Sequence, residues 1–165
     1  MTTAEDVIKL RTLVDEDKIL MVTTRSHPEG ELHGRPLTLC EIDDEGALWF
    51  LVDAMAPWLG STADDAVNVA LVNDDRKVWL SIAGDASIVD DRARVHRLWS
   101  PYAQAFFPGG VDDPAVRLLK IRPTSVEYWD GRTSGVTRLV LFAQALLHRR
   151  PPSNALGESG VIELN

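Results

Sequence analysis

Cysteine and long apolar stretches are nearly missing from this chain of 165 residues. Cys40 is its one cysteine, so no internal disulfide can form. No apolar run approaches the roughly 20 residues that a membrane-spanning helix needs, and the stretch at 139–143 is far too short. The acidic residues 1–6 lack the basic and apolar regions of a signal peptide. These absences predict a cytoplasmic protein without a membrane partner.

Positive charge is also scarce, because 17 Lys and Arg face 25 Asp and Glu, for a net charge of -8. This balance disfavours nucleic acid as a partner. The four histidines are scattered and follow no zinc-binding spacing, so we expect no metal site. A glycine-rich phosphate loop and a nucleophile elbow are missing as well. The catalytic residues, if there are any, therefore stay unknown from these patterns.

What is present is typical of one soluble domain over residues 1–165, with 45% hydrophobic and 25% charged residues. A capping box of Thr3 and Asp6 predicts a first helix at 3–16. Further helices are predicted at 57–65, 91–99, 102–107 and 137–149. Apolar and β-branched segments predict strands at 19–24, 32–42, 47–52, 67–72, 78–89, 116–121, 125–129 and 161–164. Many short strands with inserted helices indicate a mainly β protein with peripheral helices, built as a closed or split β-barrel.

Proline and glycine mark irregular points within these strands. Pro36 lies inside the second strand, which indicates an edge, a bulge or a break in pairing there. Gly84 indicates a bulge or bend in the long strand at 78–89. Pro123 separates the two segments at 116–121 and 125–129.

A candidate site lies on the hairpin at 32–53. Arg35 brings a fixed cation to its first strand, while Trp49 and Phe50 bring two large rings to its second. An arginine fork grips phosphate, and apolar faces hold an isoalloxazine ring. The hairpin therefore suits flavin mononucleotide (FMN). The same residues also suit an ordinary hairpin with a surface arginine and two core aromatics.

Tryptophan is abundant, with five residues at positions 49, 58, 79, 99 and 129. We expect some in the core and others in a ligand cleft or a subunit interface. The segment Phe106-Phe107-Pro108-Gly109-Gly110 indicates an aromatic loop that covers such a cleft.

An ordered series of short segments runs from the first helix to Gly157-Glu158. The segments include Arg35-Pro36, Leu48-Trp49-Phe50, Val67 to Leu71, Val78 to Ala86, Asp90-Asp91-Arg92, Leu98 to Pro101, Phe107 to Gly110, Asp112-Asp113-Pro114 and Glu127 to Gly131. With these segments the chain resembles the pyridoxamine-phosphate-oxidase-like, FMN-binding split-barrel superfamily, and within it the general-stress-protein branch. The resemblance implies a six-stranded split barrel and a homodimer with one FMN per subunit between the subunits.

The resemblance also implies roles for single residues. Arg35, followed by Pro36 and Leu37, matches the strand arginine that reaches the FMN phosphate. The strand of Trp49, Phe50, Leu51 and Val52 matches the one that runs beside the flavin and donates backbone hydrogen bonds. Three more residues match positions close to the cofactor, partly across the dimer interface: Trp79, Ser81 and Trp129.

One segment departs from the family pattern. Ala56-Pro57-Trp58 stands where relatives carry a hydroxyl and cations for the phosphate, and Cys40 stands where true oxidases carry a lysine. We therefore expect Arg35 to hold FMN more weakly than is usual, and we count Trp58 among the candidate cofactor-binding residues. The function implied is a flavin-dependent oxidoreductase of the general stress protein type. The alternatives are a carrier or sensor without turnover, or a split barrel that uses a deazaflavin or haem.

Overall fold

The computed structural model describes residues 3–26, 29–61, 65–132 and 158–164 of the chain. The predicted helix at 137–149 lies outside these ranges, as do His27 and His148. The described ranges contain three α-helices and seven strands. They are α1 (Ala4–Val14), β1 (Ile19–Arg25), β2 (Leu32–Ile42), β3 (Leu48–Asp53), β4 (Ala66–Asn73), β5 (Val78–Val89), α2 (Arg92–Leu98), α3 (Pro101–Phe106), β6 (Val116–Asp130) and β7 (Glu158–Glu163).

The strands form one antiparallel sheet that closes on itself. Their order is β3-β2-β1-β4-β5-β6-β7, and a further pairing joins β3 to β6. This pairing runs from Leu48↔Ile121 to Asp53↔Val116, so six strands make a barrel and β7 extends it beside β6. The predicted six-stranded split barrel is confirmed. None of the helices in the described ranges is long and apolar enough to cross a membrane.

The expected break at Pro123 is wrong, because β6 is one continuous strand from Val116 to Asp130. Pro123 pairs with Gly84, at the point where the register between β5 and β6 shifts. A Cβ on Gly84 would stand 2.5 Å from the carbonyl oxygen of Arg122. The predicted bulge at Gly84 is therefore confirmed, and its close backbone approach requires glycine. The bulge lets a proline sit within a central strand.

The predicted helix at 57–65 is much shorter in the structure. A single 3-10 turn, Leu59–Ser61, follows β3, and β4 already begins at Ala66. Residues 62–64 lie outside the described ranges. Gly60 inside this turn has a low helix propensity, which agrees with the short element.

Strand β2 pairs with a different neighbour in each part of its length. It pairs with β1 from Leu32 to Thr38. Its pairing with β3 covers Leu39 to Ile42 and is interrupted by a register shift between Leu39 and Glu41. Pro36 thus lies where β2 is an edge on its β3 side, so its missing N–H leaves no ladder bond unmade. This separation of β2 from β3 is the split of the barrel.

Two apolar clusters follow from the alternation of side chains along β3. Phe50 and its neighbours at 48 and 52 point into the barrel, where Phe50 is fully buried. Trp49 points to the other side and packs with Val95 of α2 and Leu118 of β6. The second cluster therefore joins α2 to the outside of the barrel wall.

The end of α1 is held by a side chain from the β4–β5 turn. The guanidinium of Arg76 donates to the carbonyl oxygens of Val14, at 3.1 Å, and of Thr12 and Leu13, both at 3.3 Å. It also pairs with Asp17 at 2.6 Å. The last carbonyls of a helix lack partners within the helix, and a cation there also favours the helix dipole. Arg76 therefore fixes α1 to the barrel.

We expect Arg76→Ala to lower the free energy of unfolding by about 2–3 kcal/mol, because it removes charge-assisted bonds to the end of α1. Urea unfolding followed by circular dichroism measures this loss. Lys77→Ala is the matched control, since it removes only an exposed pair with Asp74, which is worth about 0–1 kcal/mol. Equal losses in the two variants would contradict the role of Arg76.

Candidate functional site

A cleft opens where β2 separates from β3, and we call it the β2–β3 cleft. Its volume is about 370 Å³, which falls in the range of about 300–1,000 Å³ that is common for small-molecule sites. Segment Pro36–Thr38 of β2 and segment Leu51–Asp53 of β3 form two of its walls, and α3 forms a third. The lining residues are Ile19, Pro36, Leu37, Thr38, Cys40, Leu51, Val52, Asp53, Ala56, Trp58, Ser100, Tyr102, Ala103, Phe106 and Phe107.

Arg35 lies at one end of this cleft, next to the ring of Trp58. Its guanidinium carbon is 4.4 Å from the centroid of the Trp58 ring, and its Nη1 donates to Oγ1 of Thr24 at 2.7 Å. Thr24 is itself buried. Partial burial lowers the pKa of Arg35 from its ordinary value, yet an arginine keeps its charge at neutral pH. Trp58 and Thr24 therefore hold this cation in a defined position.

Arg35 has no carboxylate partner among the described residues, whose arginine ion pairs involve positions 11, 76, 94, 97, 117, 122 and 132. The side chain of Arg35 does not itself line the cleft, but it contacts Trp58, which does. A held cation without an anion beside a cleft is a suitable partner for a phosphate group.

The structure brings five of the residues singled out by sequence to the cleft wall: Pro36, Leu37, Leu51, Val52 and Trp58. It places the rings of Trp49 and Phe50 elsewhere. Both are core residues, and Nε1 of Trp49 donates to Asp43 at 2.8 Å. Their side chains offer no ring surface to the cleft, and only the backbone of their strand borders it.

The aromatic walls come instead from α3 and the segment after it. Tyr102 and Phe106 lie one helical turn apart, with ring centroids 5.0 Å from one another. Both are exposed, at 48% and 63%, and both line the cleft together with Phe107. Sequence analysis named Phe106 and Phe107 but missed Tyr102. The i, i+4 spacing of two aromatics in a six-residue helix was the signal that could have found it.

Three further candidates lie on the outer face of the sheet, away from the cleft of the same subunit. Trp79 pairs with Trp129 across β5 and β6. The hydroxyl oxygen of Ser81 accepts a hydrogen bond from Asn68 at 2.8 Å. None of the three residues lines the β2–β3 cleft.

The α3 wall is held in place through α2, which precedes it directly. Arg97 forms a forked pair with Glu41 of β2, with distances of 2.7 and 3.1 Å. Arg94 lies 3.8 Å from the centroid of the Trp49 ring. Because Glu41 follows the cleft residue Cys40 on the same strand, this clamp sets the distance between the α3 wall and β2.

Asp43 supports the same clamp from the β2–β3 turn. One carboxylate oxygen accepts from the backbone N–H of Glu45 and Ala47, and the other accepts from Trp49. Desolvation raises the pKa of Asp43, but these hydrogen bonds outweigh it, so its pKa lies below its ordinary value. The acidic turn is therefore a structural element of the site.

Cys40 and Asp53 are the two residues with an ionisable thiol or carboxyl group among the described lining of the cleft. Burial raises the pKa of the Cys40 thiol above its usual value, so the protonated form prevails at neutral pH. Asp53 is the one charged residue among the described lining residues, and it accepts from the backbone N–H of Met55 at 2.8 Å. Within the described ranges, no group of three His, Cys, Asp or Glu is placed to hold a metal ion.

Comparison with known proteins agrees with this architecture. Residues 5–152 match the family described as pyridoxamine 5'-phosphate oxidase like. The chain is 26% identical over 155 residues to protein bli-3 of Neurospora crassa, covering 86% of this chain and 73% of that protein.

Two solved structures share the fold. A general stress protein 26 from Jannaschia sp. CCS1 has a TM-score of 0.73 and 24% identity, over 98% of this chain and 99% of that one. The general stress FMN/FAD binding protein of Xanthomonas citri has a TM-score of 0.67 and 27% identity, over 80% of this chain and 93% of that one.

We expect Asp43→Asn to lower the free energy of unfolding at pH 7 by about 1–3 kcal/mol, since Trp49 loses its acceptor. The folded-state pKa of Asp43 is depressed. Its stabilising effect is therefore present above the unfolded pKa of about 3.9 and is lost as the pH falls through the folded value. The difference between wild type and variant should accordingly shrink in acid.

Urea unfolding at a series of pH values measures this dependence. Asp44→Asn is the control, because the Asp44 side chain is 99% exposed and pairs only with Arg11 at the surface. A pH-independent loss in Asp43→Asn would contradict the proposed role of its charge.

Proposed function

We propose that this chain, which belongs to the pyridoxamine 5'-phosphate oxidase-like family, binds FMN in the β2–β3 cleft. The observation that carries the proposal is the held Arg35 cation at the end of an aromatic cleft of about 370 Å³. The binding of FMN or FAD by the related protein of Xanthomonas citri supports it.

The residues of the cleft fit a flavin in their chemistry. Leu51, Val52 and the aromatic wall at 102–107 suit the apolar isoalloxazine ring. The backbone of β3 at 51–53 is outside the ladder with β2. The N–H of Leu51 donates to the Cys40 thiol, and the remaining β2-facing groups would orient the ring. Arg35 is placed to bind the phosphate at the Trp58 end.

The phosphate end is weakly charged. Ala56, Pro57 and Trp58 provide no cation or hydroxyl there, and Asp53 adds a negative charge to the cleft. Each missing charged contact costs about 1.5–3 kcal/mol, which is tenfold or more in affinity. We therefore expect FMN to bind this chain more weakly than is usual in the superfamily.

The reaction type that this site favours is oxidoreduction. A bound flavin supplies the redox chemistry itself, so the chain needs only to bind it, orient it and restrict water.

The weak phosphate end favours a second candidate, a flavin carrier or sensor without turnover. Anaerobic incubation of the FMN-loaded protein with NADH or NADPH separates the two, because bleaching of the flavin absorbance faster than that of free FMN requires an oxidoreductase.

We further propose that the chain forms a homodimer through the outer face of the sheet. Val72 pairs with Trp79, and Trp79 pairs with Trp129, so the three side chains form one row across β4, β5 and β6. Val72 is 73% exposed and Trp129 is 44% exposed. Contiguous apolar surface of this kind is characteristic of an interface. In a two-fold dimer this row and Ser81 then approach the flavin of the other subunit.

Replacement of Arg35 by Gln tests the phosphate contact. FMN should raise the melting temperature of the wild type but not that of Arg35→Gln, because no second cation replaces the guanidinium. Arg122→Gln is the control, since the Arg122 side chain is 73% exposed and pairs only with Asp85. Equal shifts with FMN in all three proteins would place the phosphate elsewhere.

Replacement of Val72 by Lys tests the dimer. The variant should have the mass of a monomer in light scattering at micromolar concentration, because a charge enters an apolar interface. Ile8→Lys, with the same change at a residue of α1 that is 60% exposed, should remain dimeric. A monomeric wild type would contradict the proposal directly.

A further inference from the structure

The β2–β3 cleft continues into a second cavity, which we call the adjacent chamber. Its volume is about 470 Å³. It shares the five residues Ile19, Thr38, Cys40, Ser100 and Tyr102 with the cleft. The two cavities thus form one groove along the outer face of β2, with Tyr102 above the place where they meet. The groove has room for a second small molecule beside a flavin.

The adjacent chamber has its own chemistry, which differs from that of the cleft. Leu39, Leu98 and the ring of Tyr102 provide apolar and aromatic surface, and Ser100 and Thr38 provide hydroxyl groups. Flat rings pack well against an aromatic side chain such as Tyr102. Leu98 and Lys18 line this chamber and not the cleft.

The charges along the groove are asymmetric. Lys18 is the one charged residue among the described lining of the adjacent chamber, whereas Asp53 is the one in the cleft. Two carboxylates border Lys18 in a neighbouring cavity, Asp15 and Glu41. Both are engaged by arginines, since Arg76 lies 3.5 Å from Asp15 and Arg97 lies 2.7 Å from Glu41. Lys18 itself forms no ion pair with another described residue, so its ammonium group is available to a ligand.

We propose that the adjacent chamber is a binding site for a small planar aromatic carboxylate, whose negative charge pairs with Lys18 and whose ring packs on Tyr102. This inference rests on the proposed function only in one respect, which is that the flavin occupies the β2–β3 cleft. The ligand would then lie in the cavity next to the flavin site, and it would be either the substrate or a molecule that regulates access to the cleft.

The test compares 2-naphthoate with its uncharged analogue 2-naphthamide by isothermal titration. Wild type should bind the carboxylate up to about fivefold more tightly than the amide, because an exposed charge pair contributes about 0.2–1 kcal/mol. Lys18→Gln should bind the two compounds equally. Lys77→Gln, which changes a lysine that lines neither cavity, should keep the preference. Lys18 is exposed, so its replacement by Gln should leave the stability of the fold unchanged.

Failure to discriminate between the two compounds in wild type, or an unchanged preference in Lys18→Gln, would overturn the proposal. A second titration, with FMN and riboflavin, distinguishes the ligand from the cofactor. If Lys18→Gln weakens FMN but not riboflavin, the flavin phosphate itself occupies the Lys18 end and the proposal is wrong. If no flavin binds but 2-naphthoate still depends on Lys18, the proposed function fails while the carboxylate site stands.

Discussion

The separation of β2 from β3 is the feature on which the rest of the site depends. The two strands pair only between Leu39 and Ile42 and are out of register within that stretch. The pairing of β3 with β6 closes the barrel and covers all six residues of β3. Because the barrel closes without the first half of β2, that half is free to form the wall of a cleft. A fully paired β2 would leave no space for a ligand between the strands.

A second set of contacts maintains the opposite wall. Glu41 binds the fork of Arg97, and Asp43 binds Trp49 and the backbone of its own turn. These residues come directly after the cleft segment of β2, so one stretch of chain provides both a wall and the anchor of the facing helix. Among the described residues, the charges near the cleft therefore comprise structural pairs, the Asp53 carboxylate that accepts from Met55, and the two cations Arg35 and Lys18, which pair with no carboxylate.

The contact between Arg35 and Trp58 changes how one departure from the family pattern is interpreted. In the sequence, Trp58 occupies a position where relatives carry a cation for the phosphate. In the structure its ring lies under the guanidinium of Arg35, at 4.4 Å. A cation over an aromatic face is held in place by the ring quadrupole. Under the proposed function, Trp58 would therefore remove one phosphate contact and orient the Arg35 cation that is left.

Most strands, the capped helices, the bulge at Gly84 and the barrel class could be predicted from the sequence, whereas the continuity of β6 through Pro123 and the short turn at Leu59–Ser61 could not. The predicted features depend on local signals, namely the two-residue alternation of side chains, cap residues and backbone freedom at glycine. The order of motifs along the whole chain also singled out Arg35, Trp58 and the strand at 51–52. Which rings line the cleft is visible only in the tertiary structure. Trp49 and Trp58 are the same residue type nine positions apart, yet α2 and Asp43 bury the first, while the split beside β3 exposes the second to the cleft. That difference depends on strand register and on a helix more than 30 residues further along the chain, and no local pattern encodes it.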